Sequence, residues 1–314
     1  MEFFRRLFEY PLAEQISNFH GLVTFLSFLA FGAIAVLVAL IRRGVDGNHN
    51  LQPPLATILG IQSVLVFITS LTGIIAYVDY RTAGGARTFL LETEERSWLH
   101  EIVFEYKEYI GAITPWLLIL IAFFLVAYLG RRVYESRAAQ TYVMAANIIS
   151  LVFIMLTAAL AVLVVKEAPL QDFDVGPGLF SRGGNLVVLF GFLFLVLIAG
   201  LYWFMSRNEV EGADNAFAAM MYGGAFGLTV MWIVLIIKEN NPGFNTAIAY
   251  IKSVGPYSGV ILFSLIAIIF GTLVAWILTR RGRASLSTAS WILFIACFVQ
   301  LIMLFPPVWH LFVS

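Results

Sequence analysis

Four histidines carry most of the chemistry that this sequence offers. His20 opens a long apolar run, His100 follows Trp98-Leu99 shortly before another, and His310 follows Pro306-Pro307-Val308-Trp309 at the end of the last. His49 stands apart in the polar stretch Gly47-Asn48-His49-Asn50. A neutral imidazole is a common axial ligand of b-type haem, and two helices presenting one each at equal depth can hold a porphyrin between them. His20 and His100 are the natural pair, as cofactor-binding and metal-ligating candidates for haem b. The plainer alternative is that interfacial histidines serve no ligand. His310 beside Trp309 fits a helix-end anchor, and His49 fits a solvated turn.

The second constellation is acidic: Asp79, Glu92, Glu94, Glu95, Glu101, Glu105 and Glu108. Glu101, Glu105 and Glu108 repeat at helical spacing and, with His100, could bind a hard or borderline cation. The alternative is a solvated face with Lys107 and Arg96 as partial partners. Such a face can steer a basic soluble partner such as a c-type cytochrome. The single cysteine, Cys297, excludes an intrachain disulfide and a Cys-rich metal site. No phosphate-cradling glycine loop, nucleophile elbow or zinc-protease helix motif is present.

These groups must be positioned by elements that live in lipid. Hydrophobic residues make up 61% of the 314, charged residues only 12%, and the mean hydropathy is +0.90. A soluble globule is about half apolar and a quarter charged, so no aqueous packing could hide this much apolar side chain. Zero formal net charge offers no basic field for nucleic acid. A spanning helix needs about 20 mainly apolar residues. Eight runs qualify: Gly21–Ile41, Leu55–Val78, Ile110–Leu129, Tyr142–Val165, Leu186–Met205, Ala216–Ile237, Gly259–Leu278 and Ala289–Val308. They predict an all-α, polytopic transmembrane helix bundle. Continuous apolar runs do not suit a membrane β-barrel, whose strands alternate. Arg5 and Arg6 before an interfacial stretch that Pro11 interrupts do not make a cleavable signal peptide, so the N-terminus is expected to be retained.

Arg42, Arg43, Arg131, Arg132, Arg137, Arg207, Arg280, Arg281 and Arg283 follow the odd-numbered spans closely. By the positive-inside rule that side is cytoplasmic, and both termini lie outside a bacterial cytoplasmic membrane. The long outer segment after the second span carries helix-start grammar. Thr93 is placed to cap, Glu94 and Glu95 fill the first turn, and Trp98, Leu99, Ile102, Val103, Tyr106, Tyr109 and Ile110 form an apolar stripe. An amphipathic outer helix over 93–110 should therefore run into the third span, with Thr114-Pro115 as a kink. The run Gly130-Arg131-Arg132 with Arg137-Ala138-Ala139 parallels Thr279-Arg280-Arg281 with Arg283-Ala284-Ser285, which suggests two four-helix repeats, 1–170 and 171–314. None of the eight runs contains Asp, Glu, Lys or Arg, which argues against a proton-coupled pump or a carrier of charged solutes.

Phe19-His20-Gly21-Leu22-Val23, Thr72-Gly73-Ile74-Ile75-Ala76 with Asp79, and Trp98-Leu99-His100 together carry a resemblance. Over about the first 165 residues the chain resembles an uncharacterised bacterial family of four-span membrane proteins. In that family a His-Pro element and a second histidine open the first helix, another histidine precedes the third, and haem binding is suspected. Gly21 stands in place of the proline and no second histidine follows, so the resemblance carries over only to His20 and His100. It implies a haem b subunit of a respiratory or redox complex, transferring electrons near the outer face beside other membrane subunits. Two alternatives remain open: a cofactor-free structural subunit, and a carrier for a neutral or hydrophobic solute.

Overall fold

The computed structural model describes residues 12–44, 50–81, 83–168, 213–251, 254–280, 282 and 284–313. The expected fifth span, Leu186–Met205, and His49 lie outside the described residues, as do Arg207, Arg281 and Arg283. The chain folds as an all-α bundle: α1 (Leu12–Arg42), α2 (Gln52–Tyr80), α3 (Ala86–Leu91), α4 (Glu94–Trp98), α5 (Glu105–Ala112), α6 (Thr114–Leu129), α7 (Arg137–Glu167), α8 (Ala213–Asn240), α9 (Pro242–Ala247), α10 (Tyr257–Thr279), α11 (Leu286–Met303) and α12 (Pro306–Trp309). Seven helices among the described residues are long and apolar enough to cross a membrane, matching the other seven expected spans. Helices satisfy their own backbone groups, which hydrocarbon cannot do for them.

Local chemistry sets the ends. Ser136 and Ser285 cap α7 and α11 by accepting from the amides of Ala139 and Thr288. Asn241 caps α9 from Phe244 N–H, with Pro242 in the first turn where its missing donor costs nothing. The last span ends at Met303 instead of the expected Val308. Pro306 and Pro307 supply no amide hydrogens to continue it, and they open the short α12. Thr93 does occupy the N-cap of α4 with extended backbone, but its side chain makes no capping hydrogen bond.

The outer helix enters the third span as expected, in three pieces. Leu99–Phe104 is a π-helical segment between α4 and α5, a widening common at functional sites. A break at Ile113 then precedes α6, as the Thr114-Pro115 pair predicts. Pro115 lacks the amide that would bond the Gly111 carbonyl, and Ser70 Oγ of α2 donates to that carbonyl at 3.3 Å.

α6 is the axle. Of the most apolar stretch in Glu94–Tyr134, 78% is buried, against 22% in Arg137–Glu167. α2 and α7 pack along α6, and α8 also touches it. Among the described residues one core cluster runs from Phe31 to Trp309. Thr114 donates to Gln300 Oε1, Tyr106 Oη donates to the Leu301 carbonyl at 2.7 Å, and Tyr142 stacks on Phe294. α8 and α10 approach most closely, with Gly223 and Gly227 against Ile268 and Thr272. Ser264 Oγ donates to the Gly227 carbonyl there at 2.9 Å. Leu22, Phe25 and Val36 of α1, Met155 and Val162 of α7, and Phe270 and Leu278 of α10 are exposed, as lipid-facing side chains are.

Candidate functional site

The C-terminal end of α2, the pieces α3 to α5, the C-terminal end of α8 and the start of α10 meet at one end of the bundle. Two cavities lie there. The larger, about 530 Å³, is mostly apolar and sits between α1, α2, α5, α6 and α7. Phe25, Phe28, Val66, Ile154 and Val162 line its apolar part, and His20, Thr69, Ser70, Lys107 and Glu108 form a polar end. That volume falls within the range of small-molecule sites.

At the polar end Lys107 Nζ contacts Glu108 Oε1 at 2.6 Å, so these two opposite charges cancel, and Lys166 also lines the cavity. Thr72 Oγ1 lies 2.8 Å from the Ile68 carbonyl, to which it donates, and 2.9 Å from His20 Nδ1. With its one hydrogen committed, the Thr72 hydroxyl accepts from His20 Nδ1–H, which makes Nε2 the acceptor nitrogen of a neutral ring. Thr69 donates to the Leu65 carbonyl and Ser70 shares its one hydrogen between the Val66 and Gly111 carbonyls, leaving their oxygens as acceptors. Gly73 lies against the same imidazole: a Cβ there would sit 3.4 Å from His20 Cε1.

The smaller cavity, about 180 Å³, is polar. Arg81, Arg87, His100, Glu105, Lys238 and Glu239 line it, and Glu108 and Tyr257 are common to both cavities. Arg81 Nη1 donates to the Val254 carbonyl at 2.7 Å and Tyr257 Oη donates to the Glu108 carbonyl at 2.9 Å, tying α2 and α10 to this corner. Gly255 is required where Arg81 passes: its φ is +71°, and a Cβ would fall 2.4 Å from Arg81 Nη1. Lys238 Nζ contacts Glu239 Oε1 at 2.6 Å.

His100 belongs to this polar cavity and His20 to the apolar one. Arg87 Nε donates to His100 Nε2 at 3.1 Å, so that nitrogen must accept, and Nδ1–H donates to Tyr80 Oη at 2.9 Å. Burial pushes the Tyr80 phenol above its ordinary range and keeps it neutral. The helix α2 residues that hold the two rings, Thr72 and Tyr80, are eight positions apart, about 12 Å of rise. A six-coordinate haem needs two imidazole nitrogens facing one iron. Here one ring has both nitrogens engaged within the protein and the other sits in a separate cavity, so His20 and His100 do not fit as an axial pair. His310 stacks on Trp309 with ring centroids 4.0 Å apart, in keeping with a helix-end anchor.

The acidic constellation also divides. Glu101 is exposed, whereas Glu105 and Glu108 are partly buried and turn into the polar cavity instead of forming a solvated face. Among the described residues no group of three or more His, Cys, Asp and Glu is placed to hold a metal ion. Sequence reasoning missed Arg81, Arg87, Lys238 and Glu239. Their available signal was position, since each ends or follows a span on the same side as Glu105 and Glu108.

The chain matches no family model, no curated protein and no solved structure.

Proposed function

We propose that the protein is a membrane subunit of a redox complex that binds a neutral head-and-tail amphiphile of the bilayer, with the hydrogen-bonding character of an isoprenoid quinone. One observation carries the reading: a single cavity grades from aromatic and aliphatic walls to a polar end where Lys107 and Glu108 are paired. A tail lies among Phe25, Phe28 and Val162, and a head reaches His20 and Lys107. Lys107 Nζ has donors beyond the one shared with Glu108 and suits a quinone carbonyl, while His20 Nε2 suits a quinol hydroxyl. Arg42, Arg131, Arg132 and Arg280 lie near the opposite ends of the same helices, which supports an outward-facing site in the bacterial cytoplasmic membrane.

Quinones and diacylglycerol-type lipids share this chemistry, and binding separates them. Decylubiquinone added to the purified protein in nanodiscs should quench tryptophan fluorescence saturably. Gly73→Leu should weaken binding at least tenfold, because its side chain must enter the cavity beside His20. Competition by dioleoylglycerol but no quinone saturation would assign the lipid instead. Saturation by neither, or equal affinity in Gly73→Leu, would refute the site. An absorption spectrum of the same sample tests the haem reading through its Soret band.

A further inference from the structure

The polar cavity raises a question of solvation. Arg81, Arg87, Glu105, Glu108, Lys238 and Glu239 around 180 Å³ can carry charge only if water or opposite charges surround them. Asn245 Oδ1 in the same wall is buried with no hydrogen-bond partner among the described residues. A polar space of that size admits several waters, at roughly 30 Å³ each. It lies at the end of the bundle, where the Glu239 side chain is 24% exposed. Its inner wall is Glu108 and Tyr257, which are also the wall of the apolar cavity.

We propose that the polar cavity is a hydrated proton-exchange route leading from the aqueous phase, through Glu108, to the head of the ligand in the apolar cavity. The route rests on the quinone reading for its cargo, but its hydration does not. Glu108 faces Lys107 on its own helix, Tyr257 of α10, Arg81 of α2, and Lys238 and Glu239 of α8, with Glu105 one turn away. Reduction of a bound quinone adds two electrons from a reduced haem or iron–sulfur centre of a partner subunit. Each carbonyl oxygen then takes one proton. The Glu108 carboxylate takes a proton from water in the polar cavity, passes it to the nearer oxygen, and repeats the transfer from the same water for the second oxygen, ending as the carboxylate paired with Lys107. Quinol oxidation runs the same transfers backwards.

Radiolytic hydroxyl labelling of the wild-type protein reads the hydration directly, because buried rings are modified only where water touches them. Tyr109 and Tyr257 line the polar cavity at 3% and 5% exposure, and Tyr142 lies in the apolar core at 0%. Tyr109 and Tyr257 should be labelled at least tenfold faster than Tyr142. Protection equal to that of Tyr142 would overturn the route whether or not quinone binds. For Glu108, reduction of bound decylubiquinone by reduced methyl viologen, which gives up electrons without protons, is followed with a pH dye. At saturating quinone Glu108→Gln should slow proton uptake at least tenfold, and Glu108→Asp should restore it. Unchanged uptake by Glu108→Gln at saturating quinone would remove Glu108 from the route. Failure of wild-type binding would fall on the quinone reading alone, since the labelling result stands apart.

Discussion

Substituting Gly223 by alanine tests the closest approach at any glycine among the described residues and, through it, the corner that holds both cavities. An added Cβ would lie 2.0 Å from Thr272 Oγ1, 2.5 Å from the Thr272 amide nitrogen and 2.7 Å from the Ile268 carbonyl oxygen. Ordinary carbon contacts are roughly 3.5 to 4.0 Å, so about 1 to 1.5 Å must be found. Thr272 Oγ1 can rotate away, but the two backbone atoms cannot, and α8 must separate from α10. Overpacking of this kind costs about 1–3 kcal/mol, a factor of roughly 5 to 150 in the folded ratio. Gly32 of α1 is the control, exposed and with nothing within 4 Å of its Cβ position. Gly32→Ala should be neutral or stabilise by up to about 1 kcal/mol through helix propensity. Denaturation of the purified proteins in mixed micelles, followed by circular dichroism, compares the two. Equal stability of Gly223→Ala and Gly32→Ala would refute the close crossing of α8 and α10. α8 also carries Lys238 and α10 carries Tyr257, so a real separation should weaken decylubiquinone binding as well.

Gly255→Ala should lose about 1–2 kcal/mol from its left-handed backbone alone, and more because its Cβ collides with Arg81; thermal unfolding in detergent measures it. Gln300→Leu strands the buried Thr114 hydroxyl and should cost about 1–3 kcal/mol, while adding Thr114→Val should recover part of the loss in a double-mutant cycle. Reporters fused at Glu135 or Arg283 should behave as cytoplasmic and those at Gly176 or Ser314 as external, and the reverse pattern would overturn the arginine-based orientation.

The spans were legible because hydropathy is a sum over many residues, and the described helices fall on seven of the eight runs. The errors lie where one residue decides: the proline pair that ends α11 early, and Thr93, whose backbone caps while its side chain does not. The separation of His20 from His100 was already legible in the sequence. His20 directly precedes its span, whereas His100 stands ten residues before Ile110, about 15 Å of helical rise, so equal depth was never available. The polar cavity was not legible, because Arg81, Glu105, Lys238 and Tyr257 come from four segments and only packing brings them together. Reading Glu105 and Glu108 as a solvated face took the opposite face of the helix for lipid and water, where α8 and α10 in fact lie.

The burial of α6 bears on how the protein is assembled in the cell. A helix sheathed by protein needs no lipid-compatible face, yet Thr114–Leu129 is apolar all round, with Leu, Ile and Phe on every side. That composition suits a stage at which lipid is its neighbour, as when spans insert singly before they associate. α7 follows within a few residues, but α8 and α11, which contribute Met231 and Gln300 near its flank, leave the ribosome much later. Until then one flank of α6 remains open to the bilayer, so a chain stopped after Glu167 should insert stably and still present a surface that recruits its missing half when that half is supplied in trans.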